Sequence, residues 1–259
     1  LTAAIPPRLA LTALEDSEAV ARHVAQAVLR QALVPQPSCL GLATGATMLP
    51  VYAALVEAAR QLPDGQSRHL RRHWLSYNLD EYVGLDPSHP GSFAAFMEGR
   101  LTVPLGLDPA SVRLPDGLAP DPMAEAQRYA AGIRAAGGIG LQLLGLGVNG
   151  HVGFNEPPCA ATSTCRPVRL SAATRRHNAA AFAGDPAAVP ERAITLGLAE
   201  ILAARRILLV VTGAAKADVL GRLLRQRPSP QLPASWLQGH PAVEVVADRA
   251  ALSRVAAGA

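Results

Sequence analysis

IGLQLLGLGVNGHVGFNEP, running from Ile139 to Pro157, joins a strand-like segment to a glycine-rich polar loop. Its first six residues are an apolar run, with Gln142 the one polar member, of the length and composition of a strand buried on both faces of a parallel sheet. A loop with four glycines follows directly, and ligands of open α/β sheets bind just past the carboxyl ends of such strands, where glycine lets the backbone turn tightly and approach a ligand closely. His151 and Glu156 lie five residues apart on that loop, with Asn149 at its centre. A histidine on a glycine-rich turn also has a bland reading, as a hydrogen-bonded packing residue; its place at a strand end favours chemistry.

Working outward, strand-like and helix-like segments alternate along the chain. Strands are expected at residues 38–43, 74–79, 139–144, 168–170, 193–196, 207–211 and 243–247, and helices at 17–33, 49–61, 121–136, 173–182, 198–203 and 214–225. Residues 80–92 read as a loop, leading into a helix that ends near Leu101. This alternation predicts an α/β, Rossmann-like three-layer fold: a mostly parallel central sheet with helices on both faces. The 259 residues read as a single α/β domain.

Nearly half the residues are apolar while only 4% are aromatic, so the core must be built from Ala, Leu and Val. The formal charge of +4 is mild, and the nearest approach to a basic block, Arg68 to His73, reads as a solvated helix end. Nucleic acid is therefore not an expected partner. No run approaches 18 apolar residues and the first 18 lack a leader pattern, so no membrane partner is expected and the cytoplasm is the expected compartment. Three cysteines, Cys39, Cys159 and Cys165, form no CxxC pair and fit a reducing compartment; no ligand spacing for a metal accompanies them.

Four loops in this reading leave strand ends with polar groups: Thr44-Gly45-Ala46-Thr47, Asp80-Glu81-Tyr82, Asn149 to Glu156, and Gly213 to Lys216. The first is a turn opening a helix, whose free N–H groups suit an anion, although threonine and glycine also cap helices for structural reasons alone. Lys216 is the only lysine beside 23 arginines, and it opens a helix, where an ammonium opposes the dipole unless an anion sits nearby. Asp80 has the alternative reading of a turn cap, and Glu81 that of a solvated charge.

Through LGLATGATMLPVY, NLDEYVGLDPSHPGSF, LLGLGVNGHVGFNEP, TRRHN, VVTGAAKADVL and LQGHP, from about Leu40 to Asp248, the chain resembles the glucosamine-6-phosphate deaminase (glucosamine-6-phosphate isomerase) family. The related 6-phosphogluconolactonases share the fold but differ after the Gly-His pair. The resemblance implies conversion of a sugar phosphate, glucosamine 6-phosphate, to fructose 6-phosphate and ammonia without metal or organic cofactor. It implies ring opening by His151 with Glu156 and Asn149 beside it, proton transfer from carbon 2 to carbon 1 by Asp80, and phosphate binding by Thr44, Gly45, Ala46, Thr47 and Lys216. It also implies a mobile lid over about residues 170–190, and it is compatible with a homo-oligomer.

Two departures accompany it. Asn149 replaces an aspartate of some relatives, and an arginine that commonly contacts the phosphate falls on Ala180, so that either Arg175 or Arg176 reaches over or phosphate affinity is reduced. Positions matching the allosteric site of regulated relatives carry Cys159, Ala160 and Val168, with only Arg166 retained, so no activation by N-acetylglucosamine 6-phosphate is expected. Alternatives are a 6-phosphogluconolactonase, a galactosamine-6-phosphate deaminase, and a non-catalytic sugar-phosphate sensor. A lactonase needs no carbon-2 base, and a sensor needs neither Asp80 nor His151.

Overall fold

The computed structural model describes residues 9–255; residues 1–8, part of the segment read for a leader, and 256–259 lie outside the described residues. In chain order the strands are β1 (Ala10–Leu14), β2 (Cys39–Leu42), β3 (Ser76–Asn78), β4 (Asp80–Tyr82), β5 (Val112–Arg113), β6 (Ile139–Gly145), β7 (Arg166–Arg169), β8 (Arg192–Thr195), β9 (Arg206–Val211) and β10 (Val243–Asp248). The helices are α1 (Ser17–Ala32), α2 (Met48–Arg60), α3 (Asp64–His73), α4 (Phe93–Met97), α5 (Val103–Leu105), α6 (Pro122–Ala135), α7 (Ala172–Asn178), α8 (Leu198–Leu202) and α9 (Ala217–Arg225). A π-helical turn over Glu98–Thr102 joins α4 to α5.

Seven strands form a sheet in the order β1-β10-β9-β6-β2-β3-β5, with every neighbouring pair parallel. The sequence logic is plain at its centre. The side chains of Leu141, Leu143, Leu144, Leu208 and Leu209 are fully buried, and each contributes roughly 1.5–3 kcal/mol by leaving water. The helices that cover this sheet start on their own signals. Asp16 accepts from the Ala19 N–H at 2.8 Å to open α1, and Asp121, followed by Pro122 at the first helical position, caps α6. The basic end of α3 is solvated as expected, with Arg71, Arg72 and His73 in its last turn and only Leu70 buried.

From β2 the sheet grows outward through β3 to β5, and from β6 it grows the other way through β9 and β10. The boundary between β2 and β6 is thus the topological switch point, where the loops after neighbouring strands diverge and leave a crevice.

A second, antiparallel sheet of β4, β8 and β7 stands beside this crevice. Here the expectation of a loop from residue 80 is corrected: its first three residues are β4, paired as Asp80↔Thr195, Glu81↔Ile194 and Tyr82↔Ala193. The partner lies over a hundred residues away, so no local pattern announces the strand. Leu79 is the hinge between the sheets, donating to the Leu42 carbonyl at 2.9 Å and accepting from the Leu196 N–H at 2.7 Å. Tyr82, Phe154, Leu170, Phe182 and Val189 form a small apolar core under this annex, separate from the main one. Two further strands were not anticipated. β1 is a half-exposed edge strand paired with β10, and β5 is only two residues long.

Candidate active site

The loops after β2, β3, β6 and β9 all reach one open cavity of about 490 Å³ at the switch point. Thr44 to Thr47, Asp80, His151 and Lys216 line it together, as four separate sequence loops had suggested.

The Thr44–Thr47 turn is held by glycine: Gly45 has φ +101°, a conformation that L side chains rarely adopt. Thr47 precedes α2 without a side-chain cap, and α2 carries no acidic residue in its first turn. Among the described residues the N–H groups of Thr44 to Thr47 find no protein acceptor, which leaves a cluster of donors at a helix N-terminus facing the cavity. Lys216 enters from the start of α9. It is half-buried with its pKa lowered by desolvation, and among the described residues no carboxylate offsets that loss.

Asp80 is 5% exposed and has its pKa pushed up to about 8, first by burial and then by the neighbouring Glu81 charge. A methyl group added to Gly153 would come within 3.4 Å of Asp80 Oδ2, so the glycine-rich loop passes its backbone directly against this carboxylate. Glu81 is not a solvated charge but a buried one, 3% exposed. It accepts from the N–H groups of Tyr82, Phe93 and Ala94 at 2.8, 3.1 and 2.8 Å, which anchors the start of α4 and places Phe93 in the cavity wall. Burial raises its pKa and those three donors lower it.

His151 sits on a turn that only its glycines permit. Gly150 has φ +88°, and the His151 ring lies so close over Gly147 that a β-carbon there would fall 2.3 Å from Nε2. The side chain of Asn149 accepts from the backbone N–H of His151 at 3.2 Å, so it fixes the turn rather than the ring. Burial is the main cause that draws the imidazole pKa down to about 4; Glu156 raises it, and Lys216 and His177 lower it. The ring is therefore neutral across the physiological range, and its buried Nδ1 has no partner among the described residues.

Glu156 does not bond the His151 ring. It accepts from the Ser171 N–H and Oγ at 3.0 and 2.9 Å and from Thr174 Oγ1, and so grips the first turn of α7. Residues three and four positions beyond Thr174 share its side of the helix, and these, His177 and Asn178, line the cavity. Arg175 lies off that side: it donates to the Pro186 carbonyl at 3.0 Å and pairs with Glu191 at 3.6 Å, and it is not in the cavity wall. Sequence reasoning singled out the arginines of TRRHN and passed over His177 and Asn178, which helical spacing picks out only once Thr174 is seen to face Glu156.

Among the described residues, no group of three His, Cys, Asp or Glu side chains is placed to hold a metal ion, and no helix is long and apolar enough to cross a membrane. All three cysteines are buried and unpaired.

The architecture defines a parallel-sheet α/β protein with a small-ligand cavity at its switch point. Residues 15–246 match the family described as glucosamine-6-phosphate isomerases/6-phosphogluconolactonase, and the chain belongs to that family. It is 44% identical over 240 residues to a glucosamine-6-phosphate deaminase of Rhodopirellula baltica and 41% identical over 239 residues to one of Geobacillus sp., covering 92% of each partner in both cases. It also superposes on a solved monomeric glucosamine-6-phosphate deaminase with a TM-score of 0.88 and 33% identity, covering 95% of this chain and all of the other. A 6-phosphogluconolactonase from Trypanosoma cruzi, 17% identical with a TM-score of 0.76, shares the fold.

Proposed function

We propose that the protein is an amino-sugar-phosphate deaminase, converting glucosamine 6-phosphate and water to fructose 6-phosphate and ammonia. The observation that carries this reading is the meeting in one cavity of a buried carboxylate, Asp80, a neutral imidazole, His151, and an anion-suited wall of Thr44–Thr47 and Lys216. The relatives that bear the deaminase name over nine-tenths of the chain support it.

In this reading the phosphate lies on the N–H groups of Thr44 to Thr47 beside the Lys216 ammonium. His151, neutral and able to donate at one nitrogen and accept at the other, moves the proton between the anomeric hydroxyl and the ring oxygen that opens the pyranose. Asp80 then takes the proton from carbon 2, leaving an enolamine, and returns it to carbon 1 to form the ketimine. Water adds to that ketimine, and ammonia leaves as the ketose carbonyl forms. The substrate ammonium on carbon 2 would favour the ionised carboxylate that burial alone disfavours. Glu156 and Asn149 hold the loop on which His151 rides. The reaction is an isomerisation coupled to a hydrolytic deamination, and it calls for neither metal nor organic cofactor.

We read α7 and the segment that follows it, within residues 170–190, as a lid, and Arg175 as part of the lid's frame rather than as a phosphate ligand. The described residues form one catalytic unit in this reading. Three buried free thiols support a reducing, cytoplasmic setting.

The test is direct: purified protein is mixed with glucosamine 6-phosphate, and ammonia and fructose 6-phosphate are measured together. Equal yields support the reading, as does loss of turnover in Asp80→Asn. Hydrolysis of 6-phosphogluconolactone that survives Asp80→Asn would favour a lactonase, and sugar-phosphate binding without ammonia would favour a sensor. Parallel assay of the gluco and galacto epimers sets the substrate.

A further inference from the structure

The proposed reaction leaves one cavity-lining group without a role. His177, on α7, has an exposed side chain that lines the cavity, and among the described residues its ring makes no hydrogen bond and no ion pair. Nothing in the fold requires an imidazole there. Of its neighbours on the helix, Asn178 donates to the Tyr82 hydroxyl at 2.9 Å, Arg175 is spent on Pro186 and Glu191, Thr174 is held by Glu156, and Arg176 is exposed outside the cavity wall. These contacts fix the rotation of α7, so His177 is presented to the cavity by a clamped helix.

The electrostatic setting suits an anion. His177 and Lys216 both depress the protonation of His151, which means that all three basic groups share one field. The Thr44–Thr47 N–H groups add partial positive charge in the same space, and Asp80, the carboxylate in that wall, has its ionisation suppressed by burial. A cavity so polarised attracts phosphate, and His177 is the side chain with an uncommitted ring N–H that α7 brings to it.

We infer that His177 is a substrate-binding residue, donating from its imidazole to the anionic end of the sugar phosphate and closing the site from the α7 side. This rests on the sugar-phosphate reading above. The donor contact is made from the element proposed as a lid, so occupancy of the site and the position of α7 become linked. A charge-assisted hydrogen bond of this kind corresponds to about a tenfold change in affinity.

The experiment compares wild type, His177→Ala and His177→Arg in two assays. In turnover with glucosamine 6-phosphate, His177→Ala should raise KM by about tenfold while kcat stays within about threefold, and His177→Arg should recover most of the lost affinity. In thermal unfolding without turnover, the Tm rise produced by inorganic phosphate or fructose 6-phosphate should shrink in His177→Ala and return in His177→Arg. Unchanged KM and unchanged phosphate stabilisation in His177→Ala overturn the inference while leaving the deaminase reading intact. Conversely, a wild type that releases no ammonia but whose phosphate stabilisation depends on His177 overturns the reaction and keeps the anion contact.

Discussion

Glu156 accepts from the backbone N–H of Ser171 at 3.0 Å and from its hydroxyl at 2.9 Å, so the last polar residue of the glycine-rich loop is bound to the cap of α7. The loop that carries His151 and the helix that carries His177 therefore move as a linked pair. Glu156→Ala should release this link and raise amide hydrogen exchange over residues 171–182, with kcat and KM both impaired. Because α7 is short and the bonds are partly exposed, the global stability loss should be only about 1–2 kcal/mol. Exchange mass spectrometry with a denaturant melt checks both parts; unchanged protection over α7 would count against the coupling.

Asp80 links activity to stability in opposite directions. Its native pKa, about 8, lies above the unfolded value of about 3.9, so between these pH values the native state keeps a proton that the unfolded chain has released. Its contribution is fully favourable below the lower value and is lost as pH rises through the upper one. Asp80→Asn removes this dependence while abolishing most turnover, by about 10²–10⁴-fold for loss of a general base. The variant should therefore melt at a higher temperature than wild type at pH 8.5, with the gap closing toward pH 4.5. Thermal melts at several pH values test this, and equal melting temperatures throughout would contradict it.

The same ionisation should appear in kinetics. The free enzyme holds Asp80 largely protonated below about pH 8, while His151 is already neutral above about pH 4. The value of kcat/KM should therefore climb through about pH 8 on a single limb, without a second limb from His151 near neutrality. A full pH profile of kcat/KM decides this, a plateau from pH 6 upward being the contrary result.

The legible parts of this molecule were those with local causes. The buried runs of β6 and β9 and the caps of α1 and α6 carry their reasons in adjacent residues, and the four polar loops follow from strand ends pointing one way in a parallel sheet. What was hidden depends on distant partners. β4 exists because Asp80 to Tyr82 pair with residues 193–195, and Glu81 is buried because α4 folds back to supply N–H donors. The roles within TRRHN were hidden for the same reason, since the rotation of α7 is fixed by Glu156 and Tyr82, which lie elsewhere in the chain.

Gly147 offers a clean probe of His151. A methyl group there would fall 2.3 Å from Nε2 of the ring, and the ring, being a side chain, must swing away. Gly147→Ala should fold, since the glycine lacks a positive φ, yet lose about 10²-fold in turnover through misplacement of the imidazole. Phosphate-dependent thermal stabilisation should persist, because the Thr44–Thr47 wall is untouched. Turnover close to wild type would mean that the position of the ring over Gly147 is not the working one.

Arg166 bears on regulation. The family resemblance implies that it stands at the one position retained from the allosteric site of regulated relatives, but its guanidinium is spent within the fold: it donates to Asn155 Oδ1 at 3.1 Å and to the Thr164 carbonyl at 3.0 Å, and it rests 3.6 Å from Cys159 Sγ. Asn155 in turn ties the glycine-rich loop to the end of β8 through the Leu196 carbonyl. An anion that captured Arg166 would have to break this network, whose donors and acceptors are already matched, and no second cation stands at the corresponding positions Cys159, Ala160 and Val168. Binding with no preference between conformational states shifts no equilibrium. Rate against glucosamine 6-phosphate concentration should therefore be hyperbolic, and N-acetylglucosamine 6-phosphate should leave it so; a sigmoidal curve that this compound makes hyperbolic would show that the Arg166 network opens after all.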